Sequence, residues 1–200
     1  MELILIRHGA TAGNLERRYI GQGDDQPLAP EGIRQIQDAL SRGRYPRADA
    51  VYSSPLKRCL ETARLIYPMM VPIRLPSLAE LDFGSFEGKN YEQLKEDPAY
   101  RRWIDSAGMT APPGGESGEE FFARLEGGLR QIAADTRRLS VRRPAVVLHG
   151  GCIMTLFSRL AEQDREKGED FYRYQLPCGG GYQAEMDPAT LRFSHIRPLF

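Results

Sequence analysis

The sequence predicts an α/β fold built on a mostly parallel β-sheet. Segments with helical spacing alternate with strand-like segments along the 200 residues, an order typical of parallel strands joined by helices. Three short strand-like runs end at or shortly before arginine or histidine residues: 3–6, 50–54 and 145–148. Short runs of β-favouring residues are typical of buried strands. The chain length favours one domain, so residues 1–200 are expected to form a single unit.

The first half of the chain gives its elements in a clear order. Residues 9–30 are predicted to form a polar loop, because Gly and Asp are frequent there. The helix that follows has an apolar stripe formed by Ile33, Ile36 and Leu40. Ser54 and Pro55 predict the next helix start, with Ser54 as N-cap and Pro55 at the first helical position. Residues 71–75 indicate a further short strand.

The second half begins where regular patterns break down. Prolines and glycines interrupt residues 97–118, and we expect a flap inserted over the sheet edge, spanning about residues 84–118. Ser117 and Glu120 have the spacing of a capping box and predict a helix start. The buried face of that helix is predicted to contain Phe121, Phe122, Leu125, Leu129 and Ile132. The remaining pattern predicts a helix at 150–161 and strands at 181–186 and 191–196.

Composition narrows the functional class. Lys plus Arg and Asp plus Glu both number 27, so the formal net charge is zero and nothing favours a nucleic-acid partner. Cys59 and Cys152 fall among apolar residues of predicted helices, and Cys178 has no metal-like spacing to them. Free buried thiols fit a reducing cytoplasm. No apolar run is long enough to span a membrane, and the N-terminus does not have the pattern of a signal peptide.

Arginine and histidine side chains follow the three predicted strands. Arg7 and His8 follow the first strand, Arg58 lies shortly after the second, and His149 follows the third. In open α/β sheets, ligands bind beyond the carboxyl ends of the strands. Arginine holds phosphate through bidentate hydrogen bonds, and histidine is a competent nucleophile when one ring nitrogen is neutral. These four residues therefore indicate a phosphoryl-transfer site.

Other residues near these strand ends fit the same chemistry. Thr11 and Asn14 add hydrogen-bonding groups close to His8 in the sequence. The cationic residues near His8 disfavour its protonation. The glycines after His149 allow backbone to approach an anion, and a helix N-terminus follows them. Beside a dianion we expect a cationic His149. His195 lies near the end of a late strand without such neighbours, and we take it as structural.

The site also needs an acid to protonate a leaving alkoxide. Glu80 lies in an apolar segment, which is expected to raise its carboxyl pKa and suits such an acid. Asp82 and Glu87 lie close by in the sequence. On chemistry alone the three carboxylates cannot be told apart.

Taken together, these motifs resemble the histidine phosphatase superfamily, the phosphoglycerate mutase-like family. The matching segments, in order between residues 3 and about 181, are residues 7–11 with Asn14, 25–28 before Gly32, 53–58 with 62–63, Glu80 with 83–84 and 87–88, 114–117, and 149–151. The resemblance implies a three-layer α/β/α sandwich with a mostly parallel sheet. It implies His8 as the nucleophile that becomes phosphohistidine, Glu80 as the proton donor, and no metal or cofactor. It also implies a phosphate held by Arg7, Asn14, Arg58, His149 and the Gly150 amide.

Two residues that depart from the family pattern, together with a short flap, bear on which substrate the protein accepts. Ala10 and Leu148 stand where the family often has Glu and Ser or Thr. The chain is short between Glu80 and Gly114, unlike cofactor-dependent phosphoglycerate mutases, and resembles the phosphatase branch that acts on substrates such as α-ribazole 5′-phosphate. Tyr91, Tyr100 and Trp103 could stack on a base, although packing is the favoured use.

The sequence therefore predicts a phosphomonoesterase acting on a small phosphorylated metabolite, with α-ribazole 5′-phosphate as the leading substrate. A phosphoglycerate mutase is the alternative. A non-catalytic phospho-ligand binding module is disfavoured because every core residue is present. A homodimer is expected as one form of assembly.

Overall fold

The computed structural model describes residues 1–162 and 171–200, and its centre is one six-stranded sheet. The strands are β1 (Glu2–Arg7), β2 (Ala50–Ser53), β3 (Ile73–Arg74), β4 (Pro144–Leu148), β5 (Gly181–Met186) and β6 (Phe193–Pro198). Their order across the sheet is β3-β2-β4-β1-β5-β6. The first four strands of that order pair in parallel, and β5 and β6 add antiparallel pairs. The predicted mostly parallel α/β architecture is confirmed.

The helices cover both faces of this sheet. They are α1 (Ala12–Leu15), α2 (Pro30–Ser41), α3 (Lys57–Ile66), α4 (Tyr91–Leu94), α5 (Pro98–Asp105), α6 (Gly118–Leu139) and α7 (Gly150–Leu160). Residues of α2 and α3 pack in one hydrophobic cluster with one face of the sheet. Residues of α5, α6 and α7 pack in a second cluster with the other face. The result is three layers, α/β/α.

Strand β1 shows why the apolar runs become central strands. Residues 3–6 are fully buried. Leu3 and Leu5 belong to the cluster with α6 and α7, whereas Ile4 and Ile6 belong to the cluster with α2 and α3. Alternate side chains of a strand point to opposite faces, so a strand covered on both faces needs apolar residues throughout.

Several predicted features differ from the structure. Helix α3 begins at Lys57, and its N-cap is Leu56 rather than Ser54. The predicted flap contains helices, because Pro98 occupies the first position of α5, where proline is compatible with a helix. Strand β6 begins at Phe193 rather than residue 191, since Leu191 has a left-handed φ of 59°.

The two ends of the segment of residues 84–118 lie against each other. The Ser85 amide donates to the Pro113 carbonyl at 2.9 Å, and the Glu116 amide donates to the Asp82 carbonyl at 3.0 Å. Gly84 has a φ of 51°, and a Cβ there would lie 2.3 Å from the Pro113 oxygen. This crossing therefore requires glycine.

Within residues 1–162 and 171–200, no helix combines the length and apolar character needed to cross a membrane.

Candidate active site

The ends of three neighbouring strands bring the predicted site residues together. Strands β2, β4 and β1 are adjacent and parallel, so their carboxyl ends share one edge of the sheet. The His8 and His149 rings meet edge to face, with centroids 5.0 Å apart. The Arg58 Nε lies 3.3 Å from His149 Nδ1. The structure thus places residues from three separate stretches in one cluster.

The contacts of His8 distinguish its two ring nitrogens. Its Nδ1 lies 2.7 Å from the Gly9 carbonyl oxygen, to which it can only donate, so in the neutral ring the lone pair lies on Nε2. Burial, followed by the positive charges of Arg58 and Arg7, lowers the pKa of His8 well below its ordinary value. The Gly9 amide donates to Thr62 Oγ1 at 3.0 Å, which fixes the backbone beside the ring. A neutral imidazole with a free Nε2 lone pair is a nucleophile.

His149 is fully buried and held at both ring nitrogens. Nδ1 accepts from Arg58 Nε, so Nε2 carries the proton of the neutral ring and donates to Ser54 Oγ at 2.8 Å. Burial and then Arg58 lower its pKa well below the ordinary value. The expectation of a cationic His149 is therefore not supported. Ser54, predicted to cap a helix, instead orients this ring.

Arg58 is a permanent charge completely removed from solvent. Its guanidinium donates to the carbonyl oxygens of Asp24 and Gly21, each at 2.9 Å. Among the described residues its side chain makes no ion pair with a carboxylate within 4.0 Å. Carbonyl oxygens satisfy its hydrogen bonds but leave its charge uncompensated, which favours an anion nearby.

Arg7 supplies a second cation at the same edge. Its Nη1 donates to the Leu176 carbonyl oxygen, while its Nε is buried without a hydrogen-bond partner among the described residues. A Cβ on Gly150 would lie 3.1 Å from this Nε, so the glycine lets α7 start directly against the guanidinium. Buried donors without partners are rare in proteins. The orphaned Nε and the N-terminus of α7 therefore form part of one anion-attracting corner.

Glu80 is the one carboxylate of the three candidates that lies inside the cluster. Only 7% of it is exposed, and its side chain accepts from the amides of Gly151 at 3.0 Å and Leu81 at 2.9 Å. Burial raises its pKa, against the opposing effect of those amides and Arg58. A Cβ on Gly151 would lie 2.5 Å from Glu80 Oε1, so this second glycine is needed for the contact.

Asp82 and Glu87 are engaged elsewhere. Asp82 accepts from the Gly84 amide at 2.8 Å, and Glu87 accepts from the Gly23 amide at 3.1 Å. Both carboxylates are used to order loops rather than to contact the histidine cluster. The structure thus shows which of the three carboxylates lies beside the histidines, a choice that residue chemistry alone left open.

Asn14, predicted to contact the phosphate, lies in a short, locally stabilised helix that follows β1. Its side-chain oxygen accepts from the Thr11 amide and hydroxyl, both at 3.1 Å, and forms a capping box at the start of α1. This helix lies in the stretch 9–30 predicted as a loop. These local hydrogen bonds fix the Asn14 side chain against Thr11.

Most other residues named from the sequence lie outside the cluster, whereas Cys59 and Cys152 border it. His195 is on the outer strand β6, with its side chain 61% exposed and 3.5 Å from Glu185. Tyr100 and Trp103 are buried in the core, where the favoured packing role is confirmed, and Tyr91 is exposed. Leu148 is fully buried in the core, and Ala10 is buried too. Cys59 and Cys152 are buried free thiols, as predicted.

Sequence reasoning missed the contacts that orient the site residues. Ser54 and Cys59 touch the His149 ring, the latter with its sulfur 3.5 Å from Nε2. Arg124 of α6 donates to the carbonyl oxygen of Glu80 at 3.3 Å. The spacing of Ser54 in the sequence matches a helix cap, and Arg124 looks like an ordinary surface residue of a helix. Only the tertiary structure shows that Ser54 contacts His149 and that Arg124 holds the backbone of Glu80.

Comparison with known proteins identifies relatives across nearly the whole chain. Residues 3–178 match the model of the histidine phosphatase superfamily (branch 1). Adenosylcobalamin/α-ribazole phosphatase of Escherichia coli K12 is 30% identical, covering 100% of this chain and 98% of the relative. The crystal structure of α-ribazole phosphatase from Shigella flexneri superposes with a TM-score of 0.78 at 29% identity, covering 96% and 95% of the two chains. That of phosphoglycerate mutase from Thermus thermophilus gives 0.68 at 32% identity, covering 98% of each.

Proposed function

The chain belongs to the histidine phosphatase superfamily, and we propose that it hydrolyses a small phosphomonoester through a phosphohistidine formed on His8. The observation that carries this proposal is the pairing of a neutral His8 with two cations. Arg58 has no carboxylate partner among the described residues, and Arg7 Nε has no hydrogen-bond partner there. A dianionic phosphoryl group would satisfy both.

In the proposed first step, His8 Nε2 attacks phosphorus in line with the leaving group. A P–N bond forms while the P–O bond to the leaving group breaks, and protonated Glu80 gives its proton to the departing oxygen. Arg7 and Arg58 hold the phosphoryl oxygens, with Asn14 and the Gly150 amide as further donors. His149 joins them by redirecting its Nε2 proton from Ser54 Oγ to a phosphoryl oxygen when the substrate binds. Catalysis then rests on positioning and electrostatic stabilisation, as is general for phosphoryl transfer.

In the second step, water attacks the phosphohistidine. Deprotonated Glu80 accepts a proton from that water, the P–N bond breaks, and the electron pair returns to His8 Nε2. Inorganic phosphate leaves and Glu80 is again protonated. The raised pKa of Glu80 suits both halves of this cycle, because the carboxyl must hold a proton and then release it.

This chemistry needs no metal ion. Two arginines supply the positive charge and His8 supplies the nucleophile, so we propose a metal-independent phosphatase of the histidine acid phosphatase type.

α-Ribazole 5′-phosphate is the proposed substrate. Its support is the full-length similarity to the E. coli and Shigella enzymes whose names state that activity. A phosphoglycerate mutase is the second candidate, favoured by the similarity to the Thermus protein. Because the Thermus protein matches 98% of each chain, length does not separate the two candidates, and the support for the phosphatase is the similarity to the E. coli and Shigella enzymes.

A phosphate-release screen distinguishes these candidates. The purified protein is offered α-ribazole 5′-phosphate, phosphoserine and 3-phosphoglycerate, the last with and without 2,3-bisphosphoglycerate, all in the presence of a metal chelator. We expect phosphate release to be fastest from α-ribazole 5′-phosphate. Rapid isomerisation of 3-phosphoglycerate that requires the bisphosphate, without net phosphate release, would reject the phosphatase in favour of the mutase.

A further inference from the structure

The motif Gly114-Gly115-Glu116-Ser117 has no part in the chemistry described above, yet it lies against the Glu80 segment. A Cβ on Gly115 would lie 2.4 Å from the Asp82 carbonyl oxygen, so only glycine allows this approach. The Glu116 amide donates to the same oxygen at 3.0 Å. Ser117 then caps α6. The motif therefore connects the Glu80 segment to the start of α6.

Arg124, in the second turn of α6, completes this connection. Its Nη1 donates to the carbonyl oxygens of Ser77 and Ala79, at 2.9 and 3.0 Å, and Nη2 donates to that of Glu80 at 3.3 Å. Three carbonyl groups of the backbone that leads into the acid thus point at one guanidinium. The side chain is 23% exposed, so these bonds are largely shielded from water.

Glu116 fixes the guanidinium in that orientation. Its two carboxylate oxygens accept from Arg124 Nε at 2.9 Å and Nη2 at 2.7 Å, with 14% of the Glu116 side chain exposed. A bidentate pair defines the plane and direction of a guanidinium, which a lysine in the same place would not do. The pair is thus more rigid than the exposed ion pairs of this helix, such as Arg130 with Glu126.

We propose that Arg124 and Glu116 are positioning residues that hold Glu80 at the distance and angle at which it protonates the leaving group. This rests on the proposed function, in which Glu80 is the proton donor. Arg124 holds the backbone of residue 80, and the Gly151 and Leu81 amides hold its carboxylate. The backbone and the side chain of the acid are therefore fixed by independent contacts, and loss of either leaves the carboxyl misplaced.

A positioning role differs from a general structural role in one measurable respect. A misplaced acid harms substrates whose leaving group must be protonated, such as an alkyl phosphate. It has little effect on kcat/KM for p-nitrophenyl phosphate, whose leaving group departs as a stable anion. This constant reports only the steps up to phosphohistidine formation, before Glu80 acts as the base. General damage to the fold would reduce both reactions equally.

The test compares Arg124→Met and Glu116→Gln with wild type, using Arg130→Met as the matched control from an exposed ion pair of the same helix. We expect kcat/KM for glycerol phosphate to fall about 10- to 100-fold in both variants, while that for p-nitrophenyl phosphate changes less than about 3-fold. Arg130→Met should leave both values unchanged. Equal losses on the two substrates, or no loss on glycerol phosphate, would overturn the proposal.

Glu80→Gln separates failure of this inference from failure of the proposed function. If Glu80 is the acid, Glu80→Gln shows the same selective loss on glycerol phosphate, and adding Arg124→Met to it causes no further selective loss. A further selective loss in the double variant would reject Arg124 as acting through Glu80. Equal losses in Glu80→Gln alone would instead reject Glu80 as the acid. If Arg124→Met does not fold, the Glu116→Gln variant, which retains the side-chain volume, gives the same comparisons.

Discussion

At the scale of single residues, the site combines two neutral histidines with two permanent cations. Arginine keeps its charge in any protein environment, whereas histidine loses its proton when burial and nearby cations make the charged form unfavourable. His8 and His149 experience both effects. Burial, and then the arginines that we propose to hold the phosphate, therefore keep His8, the proposed nucleophile, unprotonated.

This arrangement predicts how stability depends on pH. The folded-state pKa of each histidine is depressed below the ordinary value of 6.5. Below pH 6.5 the unfolded chain binds protons at these histidines that the folded protein does not bind. The free energy of unfolding therefore decreases as the pH falls from 6.5 toward the folded-state pKa values. Each such proton contributes a slope of about 1.4 kcal/mol per pH unit.

We therefore expect His8→Asn to weaken the pH dependence of unfolding. Between about pH 6.5 and 5, its free energy of unfolding should fall less steeply than that of wild type by about 1.4 kcal/mol per pH unit. Urea denaturation across this range measures the two slopes. Glu80 has a raised pKa and opposes the trend, but it is present in both proteins and cancels in the difference. Parallel curves would show that His8 is protonated in the folded protein.

At the scale of elements, α6 carries two adjacent glycines with different surroundings. A Cβ on Gly128 would lie 2.6 Å from Ser77 Oγ and 3.3 Å from Leu78 Cδ2, whereas a Cβ on Gly127 would meet nothing within 4 Å. Gly128 thus allows α6 to approach the 3-10 turn Pro76–Leu78, which leads into the Glu80 segment. Gly127 has no such packing requirement.

Alanine substitutions should separate these two glycines. Gly127→Ala should stabilise the protein by about 0.5–1 kcal/mol, because alanine is the better helix former. Gly128→Ala has the same advantage in helix propensity, but its Cβ would collide with Ser77 and press on Leu78. This variant should therefore be less stable than Gly127→Ala by about 1–3 kcal/mol. Denaturant unfolding of both variants provides the measurement. Equal stabilisation by both would contradict the close packing of α6 on this turn.

Sequence patterns predict those elements whose signals are local. The run of residues 3–6 is recognisable because both faces of its strand are covered, and the Ser117 capping box is complete within four residues. Pro98 resembles a break in regular structure because other prolines and glycines follow it, although it begins α5. The predicted cap at Ser54 is wrong because α3 begins only at Lys57, and the Ser54 hydroxyl contacts His149, a residue 95 positions away. Such long-range contacts leave no local pattern.

At the scale of the whole molecule, the parallel order of β2, β4 and β1 is what assembles the site. Each strand delivers its polar residues to the same edge, and the glycines that follow His149 bring Arg7 and Glu80 against the N-terminus of α7. Six motifs in order along the chain are enough to predict this fold from the sequence. The side-chain hydrogen bonds that fix each group cannot be predicted from the sequence, because they join elements that are remote in sequence.

The central claim is that His8 becomes phosphorylated, and trapping the intermediate tests it most directly. Wild-type protein and His8→Asn are mixed with a ³²P-labelled phosphomonoester that the phosphate-release screen shows to be a substrate, and the reaction is stopped within milliseconds in strong base. The labelled peptide is then sequenced. We expect base-stable label on the peptide containing His8 in wild type, none in His8→Asn, and turnover of that variant reduced by more than about 10³-fold. Label on His149 or another residue, or full turnover by His8→Asn, would contradict the account.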